Sequence, residues 1–352
     1  MRPRRTAVLV DSAPRRVVPR TIGVGSTIAG LGCYLPERVL TNVELAKTVD
    51  TTDEWIQRRT GVRERRIAAA SEATSDLAYK AARESLRAAG VAATDLDFIV
   101  VGTTTPDMVF PSVACLLQKR LGARPVGCLD VSAACSSFVY GLSVAHGAIA
   151  SGQAETVLVV GAETLSRITN WRDRTTCILF GDCAGAAVLR PARPGHGFLS
   201  FCLGGDGSAE EAMCLTAGGS RRPASFETVE RGEHYISMKG PDVYQYAVRA
   251  IPAAAAEALR RAELGPADVD FVIPHQANIR IIQSSARRLR VPLSKFFINV
   301  QRYGNTSAAS VPVALYEAVQ AGRIEEGRVG VLVTFGAGYT WGACAIRWGG
   351  AC

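Results

Sequence analysis

Two stretches of this chain set chemically able side chains just after apolar runs, and a third sets one in a turn of small residues. The first is Leu129-Asp130-Val131-Ser132-Ala133-Ala134-Cys135-Ser136-Ser137-Phe138. The apolar run 126–131 predicts a short buried strand. Phe138, Leu142, Ala145 and Ile149 then repeat at helical spacing as far as Gly152. Cys135 therefore falls at a strand-to-helix turn. Unpaired backbone N–H groups and the positive helix end there predict a lowered thiol pKa and a nucleophilic thiolate. A buried structural cysteine is the competing reading for any one of the 10 cysteines, and this stretch alone does not separate the two. The second stretch, Ile273-Pro274-His275-Gln276-Ala277-Asn278, places a histidine just past a strand's carboxyl end. The third, Tyr303-Gly304-Asn305-Thr306-Ser307-Ala308-Ala309-Ser310, places an asparagine at a small-residue turn. A lone histidine is usually structural, and His146, His196 and His234 are given no role. An Asn in such a turn is usually a cap.

What joins the three is an internal repeat. Asp97-Phe98-Ile99-Val100 is echoed by Asp270-Phe271-Val272-Ile273. Each copy follows an alanine-rich helix ending near a glycine (Gly90, Gly265), and each leads to a helix ending in a basic-Leu pair (Arg120-Leu121, Arg288-Leu289). A strand and a small-residue turn follow in both. Cys135 lies 38 residues past Asp97 and Ser307 lies 37 past Asp270, so the two turns are equated. The strand 329–335 matches 156–161. Two related halves with doubly buried strands imply two stacked α/β units whose diverged turns meet in one cleft. Around this frame the sequence predicts strands at 26–31 and 97–102, helices at 75–89 and 111–121, a tight turn at 180–185 and a strand at 186–189. Residues 191–223, with a strand at 198–203, read as a connection. The expected units are a basic extension (1–22), a nucleophile-bearing half (23–195) and a His/Asn-bearing half (196–352).

With 352 residues, 48% of them hydrophobic and 20% charged, the chain can bury a large core. No run approaches a membrane span and no signal-peptide pattern is visible. Scattered cysteines without a C-x-x-C pair or metal-ligand spacing point to a reducing, cytoplasmic setting and no metal. The net charge of +8 is largely local: Arg2, Arg4, Arg5, Arg15, Arg16 and Arg20 stand against Asp11, leaving +3 for the rest. The body has no basic run interleaved with aromatics, which argues against nucleic acid. The Arg-rich tail has a single serine, so a disordered extension or a misplaced start codon is favoured over a transit peptide.

In Thr51-Thr52-Asp53-Glu54-Trp55-Ile56-Gln57-Arg58-Arg59-Thr60-Gly61, Thr52 or Asp53 can cap a short helix that Gly61 ends. Trp55 and Arg59 share a face. A surface helix with a half-buried tryptophan and a flat cationic platform for a nucleotide are both consistent with it.

With these motifs assembled, the chain resembles the β-ketoacyl-acyl-carrier-protein synthase III family, the initiating condensing enzymes of type II fatty acid synthesis. The resemblance runs from about Ser26 to the C-terminus. It rests on Cys135 in its Ala-Ala-Cys turn, Pro-His-Gln-Ala-Asn around His275, Gly-Asn-Thr-Ser-Ala-Ala-Ser around Asn305, Thr51 to Trp55, Phe180-Gly181-Asp182, and the closing Phe335-Gly336-Ala337-Gly338-Tyr339-Thr340-Trp341-Gly342. The resemblance implies a five-layer αβαβα thiolase-like fold. It implies that an acyl-CoA primer acylates Cys135, with backbone N–H groups of Cys135 and Ala337 as oxyanion hole. Ala337 stands where the family commonly has glycine. It further implies that malonyl-acyl carrier protein is decarboxylated with His275 and Asn305 stabilising the enolate, with no cofactor beyond the thioester. Trp55 and Arg174 match the pair that sandwiches the CoA adenine, with Arg59 near the phosphates. Thr51, Gly240 and Asn278 match the pantetheine channel. Phe110 matches the residue a partner subunit inserts at the acyl pocket, which implies a homodimer. A biosynthetic thiolase would need a second cysteine in the closing turn, and an elongating synthase a histidine in place of Asn305. A priming enzyme of a polyketide pathway, or a related acyltransferase, keeps the triad and is the alternative.

A helix from Asn278 to Arg290 carries a basic stripe. With Arg280 at zero, Arg287 lies near about −20° and Arg288 near about +80°. A solvated charged face is the commoner meaning of such a stripe; docking of an acidic carrier protein is the other.

Overall fold

A computed structural model describes residues 25–352; the basic extension 1–22 lies outside the described residues. In chain order the elements that position the site are β1 (Ser26–Tyr34), α1 (Asp53–Thr60), α2 (Thr74–Ala89), β2 (Phe98–Gly102), α3 (Val113–Leu121), β3 (Gly127–Val131), α4 (Ser137–Ala150), β4 (Val157–Thr164), β5 (Asp182–Pro191), β6 (Gly197–Gly205), α5 (Gly240–Arg261), β7 (Phe271–Pro274), α6 (Ile279–Leu289), α7 (Ser310–Gln320), β8 (Val329–Gly336) and β9 (Thr340–Arg347).

The first sheet runs β1-β5-β4-β2-β3 and the second β7-β8-β9-β6. In the first, β2 pairs in parallel with both β3 and β4; in the second, β7 pairs in parallel with β8. β4 and β8 are buried at every residue, because helices or the other sheet cover both faces, and this is why their sequences are continuous apolar runs rather than alternating ones. Between the sheets α4 and α7 fill one core with Phe138, Leu142, Val311 and Leu315. Helices α2 and α3 cover the outer face of the first sheet and α5 and α6 that of the second. The expected five-layer arrangement is the one found. No helix among the described residues is long and apolar enough to cross a membrane.

The repeat is visible down to single hydrogen bonds. Asp97 accepts from Thr156 N–H (3.1 Å), and its own N–H donates to Thr156 O (2.9 Å). Asp270 and Val329 repeat the pair at 2.9 and 2.8 Å. A guanidinium reaches each carboxylate, Arg124 at 2.7 Å and Arg328 at 3.4 Å. The turns, however, align one residue away from the sequence expectation. Ala134 (φ 48°) and Ser307 (φ 46°) are the equivalent left-handed residues, each 37 residues past its aspartate, so Cys135 corresponds to Ala308 rather than Ser307.

Other expectations need correction. β3 is not buried: it is the outer edge of its sheet, with Gly127 and Leu129 exposed. The second half has no strand before its turn, only a parallel bridge between Val272 and Phe296. β1 does not stop at Leu31 but runs on through Gly32 to Tyr34. Gly32 lets α2 pack against the strand, since a Cβ there would lie 2.1 Å from Ala81 O. The predicted turn 180–185 is already strand from Asp182, and α3 starts at Val113, capped by the Ser112 hydroxyl. The segment at 198–203 extends to the whole of β6 and forms an edge of the second sheet.

Candidate active site

Cys135 sits where β3 ends, in a single 3-10 turn (Ala134–Ser136) that feeds α4. The turn is locked by Ser137, whose hydroxyl accepts from Ala133 N–H (2.9 Å) and donates to Ala134 O (2.7 Å). The closing β8–β9 turn lies over it. Thr340 donates its hydroxyl to Ala133 O at 2.8 Å, and a Cβ on Gly336 would lie 2.7 Å from Cys135 N, so only glycine permits this approach. Ala337 is not among the residues with positive φ, so its Cβ strains no backbone. Cys135 is 4% exposed. Burial pushes its thiol up to about 12, against a hydrogen bond from the Ser307 side chain. This is opposite to the lowered pKa expected from the helix terminus: loss of hydration at this depth is the largest effect, ahead of the hydrogen bonds that favour the thiolate.

His275 follows β7, and its N–H donates to Val333 O on β8 (2.8 Å). The ring is buried, with Nδ1 2.6 Å from Ser310 Oγ. Burial lowers its pKa to about 3, so the imidazole is neutral at pH 7. Asn305 is held by its backbone, its N–H donating to Leu179 O (2.8 Å) and its carbonyl accepting from Gly181 N–H (3.1 Å). Its Oδ1 accepts from Ser307 N–H at 2.9 Å, which leaves Nδ2 to donate elsewhere. Cys135, His275, Asn305, Gly240, Asn278 and Ala337 together line one cavity of about 100 Å³. The geometry therefore supplies a nucleophile, two uncharged donor side chains and a backbone turn around a single small space. A wider groove of about 1060 Å³ beside α5 holds none of these residues.

Trp55, Arg59 and Arg174 form a separate cluster outside that cavity. The guanidinium carbons of Arg174 and Arg59 lie 5.1 and 5.8 Å from the Trp55 ring centroid. Helix α1 carries Trp55 and Arg59 as expected, capped by Thr52 (Trp55 N–H to Oγ1, 3.1 Å) and ended by Gly61 in the left-handed region, while Arg174 comes from the turn before β5. The cluster is tied to the cavity through Asn278, which caps α6 and donates to Arg59 O at 3.2 Å. Thr51 does not line the cavity; its hydroxyl is buried without a partner. Arg280, Arg287 and Arg288 are all exposed on α6. Arg280 lies over the ring of Tyr244 (5.2 Å), which itself lines the cavity. Phe110 is 82% exposed, in the loop before α3, whose start is tied to β3 by Asp130 (2.7 and 2.9 Å). Among the described residues no cluster of three or more His, Cys, Asp or Glu could hold a metal.

Sequence reasoning passed over the cavity walls contributed by Met213 and Met238, which sit on a two-stranded ribbon of two residues a strand. Such short strands leave no periodicity to read. It quoted Ser310 within its motif without giving it a task.

Two family profiles match this chain: "3-Oxoacyl-[acyl-carrier-protein (ACP)] synthase III" at residues 129–207 and its C-terminal counterpart at 259–348. A β-ketoacyl-[acyl-carrier-protein] synthase III of Xanthomonas campestris pv. campestris is 53% identical, over 92% of this chain and 98% of that one. The chain belongs to the β-ketoacyl-[acyl-carrier-protein] synthase III family. The crystal structure of the Thermus thermophilus synthase III superposes with a TM-score of 0.86 at 46% identity, covering 92% of this chain and all of that one (100%). A priming β-ketosynthase from the R1128 polyketide pathway superposes equally well, TM-score 0.87, but at 34% identity, covering 96% of this chain and 100% of that one. Both matched ranges include residues of the cavity: Cys135 falls within 129–207, and His275 and Asn305 within 259–348.

Proposed function

We propose that this enzyme condenses an acyl-CoA primer with malonyl-acyl carrier protein to give β-ketoacyl-acyl carrier protein, and so initiates fatty acid synthesis. The observation that carries this is the single cavity lined by Cys135, His275, Asn305 and Ala337. Cys135 sulfur attacks the primer's thioester carbon, the bond to the CoA sulfur breaks, and CoA leaves as its thiol with the proton from Cys135. The N–H groups of Cys135 and Ala337 hold the oxyanion formed on the way. Malonyl-carrier protein then loses CO₂, and the freed electron pair spreads onto the thioester oxygen. Neutral His275 and the amide of Asn305 donate to that oxygen without a metal. The enolate carbon attacks the acyl-cysteine, and the cysteine sulfur leaves.

In this reading Trp55, Arg174 and Arg59 hold the nucleotide of CoA, while Gly240, Asn278 and Thr51 flank the pantetheine arm. Arg280, with Arg287 and Arg288, receives the acidic carrier protein. A second copy of the chain supplies Phe110 to the acyl pocket. The halves 23–195 and 196–352 each bring one part of the chemistry. The reading places the enzyme in the cytoplasm, where the scattered cysteines need no pairing. Greater identity to synthase III relatives than to the polyketide priming enzyme favours primary fatty acid synthesis. Mass spectrometry of the intact protein after incubation with a panel of acyl-CoAs tests the reading. Cys135 should gain one acyl mass with at least one primer and none in Cys135→Ala. No adduct with any acyl-CoA, or an adduct on another residue, would overturn it.

A further inference from the structure

The two inter-sheet helices open on serines at equivalent positions of the repeat. Ser137 heads α4 and Ser310 heads α7, each 40 residues past its aspartate. In the first copy the serine serves its own turn, bonding to Ala133 N–H and Ala134 O. In the second copy the same serine is turned to different partners. Its Oγ lies 2.6 Å from His275 Nδ1, and Gln276 N–H donates to it at a long 3.5 Å. Both side chains are 2% exposed, so water does not compete for these bonds.

The direction of this bond follows from what the hydroxyl proton can reach. A serine hydroxyl has one proton and two lone pairs. Gln276 N–H occupies one lone pair, and among the described residues the one acceptor within hydrogen-bond distance of the hydroxyl is Nδ1 of His275. A neutral imidazole carries one ring proton, and if Nδ1 accepts, that proton is on Nε2. Nδ1 is the nitrogen turned to Ser310, which leaves Nε2 as the one for the cavity that His275 lines. We infer that Ser310 is a positioning residue that holds His275 as the Nε2–H tautomer, making it a hydrogen-bond donor to the reacting oxygen and not a base for the Cys135 thiol. The opposite tautomer would set a lone pair on Nε2 against the lone pairs of the enolate oxygen, and the electrostatic help would be lost. The inference rests on the proposed reaction for its consequence, but the tautomer stands without it.

The full-length protein labelled with ¹⁵N-histidine tests both levels. The chain has 4 histidines, and His275→Ala identifies the signal that belongs to His275. In the substrate-free wild type that signal should show the proton on Nε2. Ser310→Ala should let the Nδ1–H form appear and cut CO₂ release from malonyl-carrier protein at least about tenfold, the low side of losing one preorganised donor. Acylation of Cys135 by acyl-CoA should stay within about threefold, and Ser310→Thr, which keeps the hydroxyl, should restore the tautomer and CO₂ release. A wild-type His275 protonated on Nδ1 would overturn the inference, whether or not the alanine variant folds. So would a Ser310→Ala protein with unchanged tautomer and unchanged CO₂ release, or one in which both half-reactions fall alike while the tautomer is kept. A wild type that releases no CO₂ would sink the proposed reaction alone, and the spectrum would still decide the role of Ser310.

Discussion

Cys135 shows how position and depth can pull one group in opposite directions. The end of β3 and the start of α4 place it where backbone N–H groups favour negative sulfur, yet burial costs the thiolate its hydration and dominates. The sign follows directly. An acid whose pKa is raised to about 12 is neutral at every pH below that, so the resting enzyme holds a thiol at pH 7. Alkylation of Cys135 by iodoacetamide should therefore rise about tenfold per pH unit from pH 7 to 10, with no plateau, because the thiolate fraction grows at that rate far below the pKa. The rate is read by mass spectrometry of the Cys135 peptide. A plateau near or below pH 7 would mean the helix end governs the thiol after all. The identity and place of Cys135, His275 and Asn305 were legible in the sequence, because Cys135 and His275 follow apolar runs and Asn305 lies in the turn that the repeat sets opposite that of Cys135. The direction of the thiol's shift was not, since burial of one atom depends on Gly336 and Thr340 folding back from 200 residues away.

At the scale of elements, the proposed function gives two short helices two different recognition tasks, and they can be separated. Helix α1 presents Trp55 to two guanidinium groups, while α6 presents Arg280 beside Tyr244 at the cavity wall. Trp55→Ala should weaken acyl-CoA binding by roughly 1–3 kcal/mol, the scale of base–aromatic stacking, and spare a pantetheine thioester that lacks adenine. Arg280→Glu should do the reverse, raising KM for malonyl-carrier protein steeply while leaving acyl-CoA loading near wild type, because it replaces attraction by repulsion at the docking step. Steady-state kinetics with both substrates on both variants give the cross. Equal losses for all substrates in either variant would mean that residue only holds structure. The caps of these helices could be read directly: Thr52 before α1, Gly61 after it and Asn278 before α6. What could not be read was the joint between them, the bond from Asn278 to Arg59 O, because its partners are 219 residues apart and share no pattern. The one-residue slip of the repeat has a similar cause. It is set by the left-handed backbone of Ala134 and Ser307, and an alanine or a serine does not announce positive φ as a glycine does.

The whole molecule leaves one sheet unfinished. The sequence made β3 a buried strand, because its apolar residues gave no sign of which neighbour would cover them. Among the described residues β3 pairs only with β2 and its other edge has no partner strand, with Leu129 39% exposed. Open apolar edges invite pairing with another strand, and the one charged residue of β3, Asp130, is engaged with the start of α3. The loop before α3 adds Val109 and Phe110 to the same region, because Asp130 on β3 holds the start of α3. A two-fold axis beside β3 would pair this edge with its own copy and cover those side chains in one self-complementary contact. Light scattering at micromolar concentration should therefore give twice the 37.4 kDa of the chain. Leu129→Lys, which puts a charge on the open edge, should shift the protein toward monomer. If Phe110 completes the partner's acyl pocket, Phe110→Ala should keep the dimer and lower Cys135 acylation with the preferred primer, since only the inserted ring is lost. A monomeric wild type would remove the proposed homodimer. A dimer unaffected by Leu129→Lys would move the interface away from β3, and full acylation by Phe110→Ala would leave that ring without a place in the pocket.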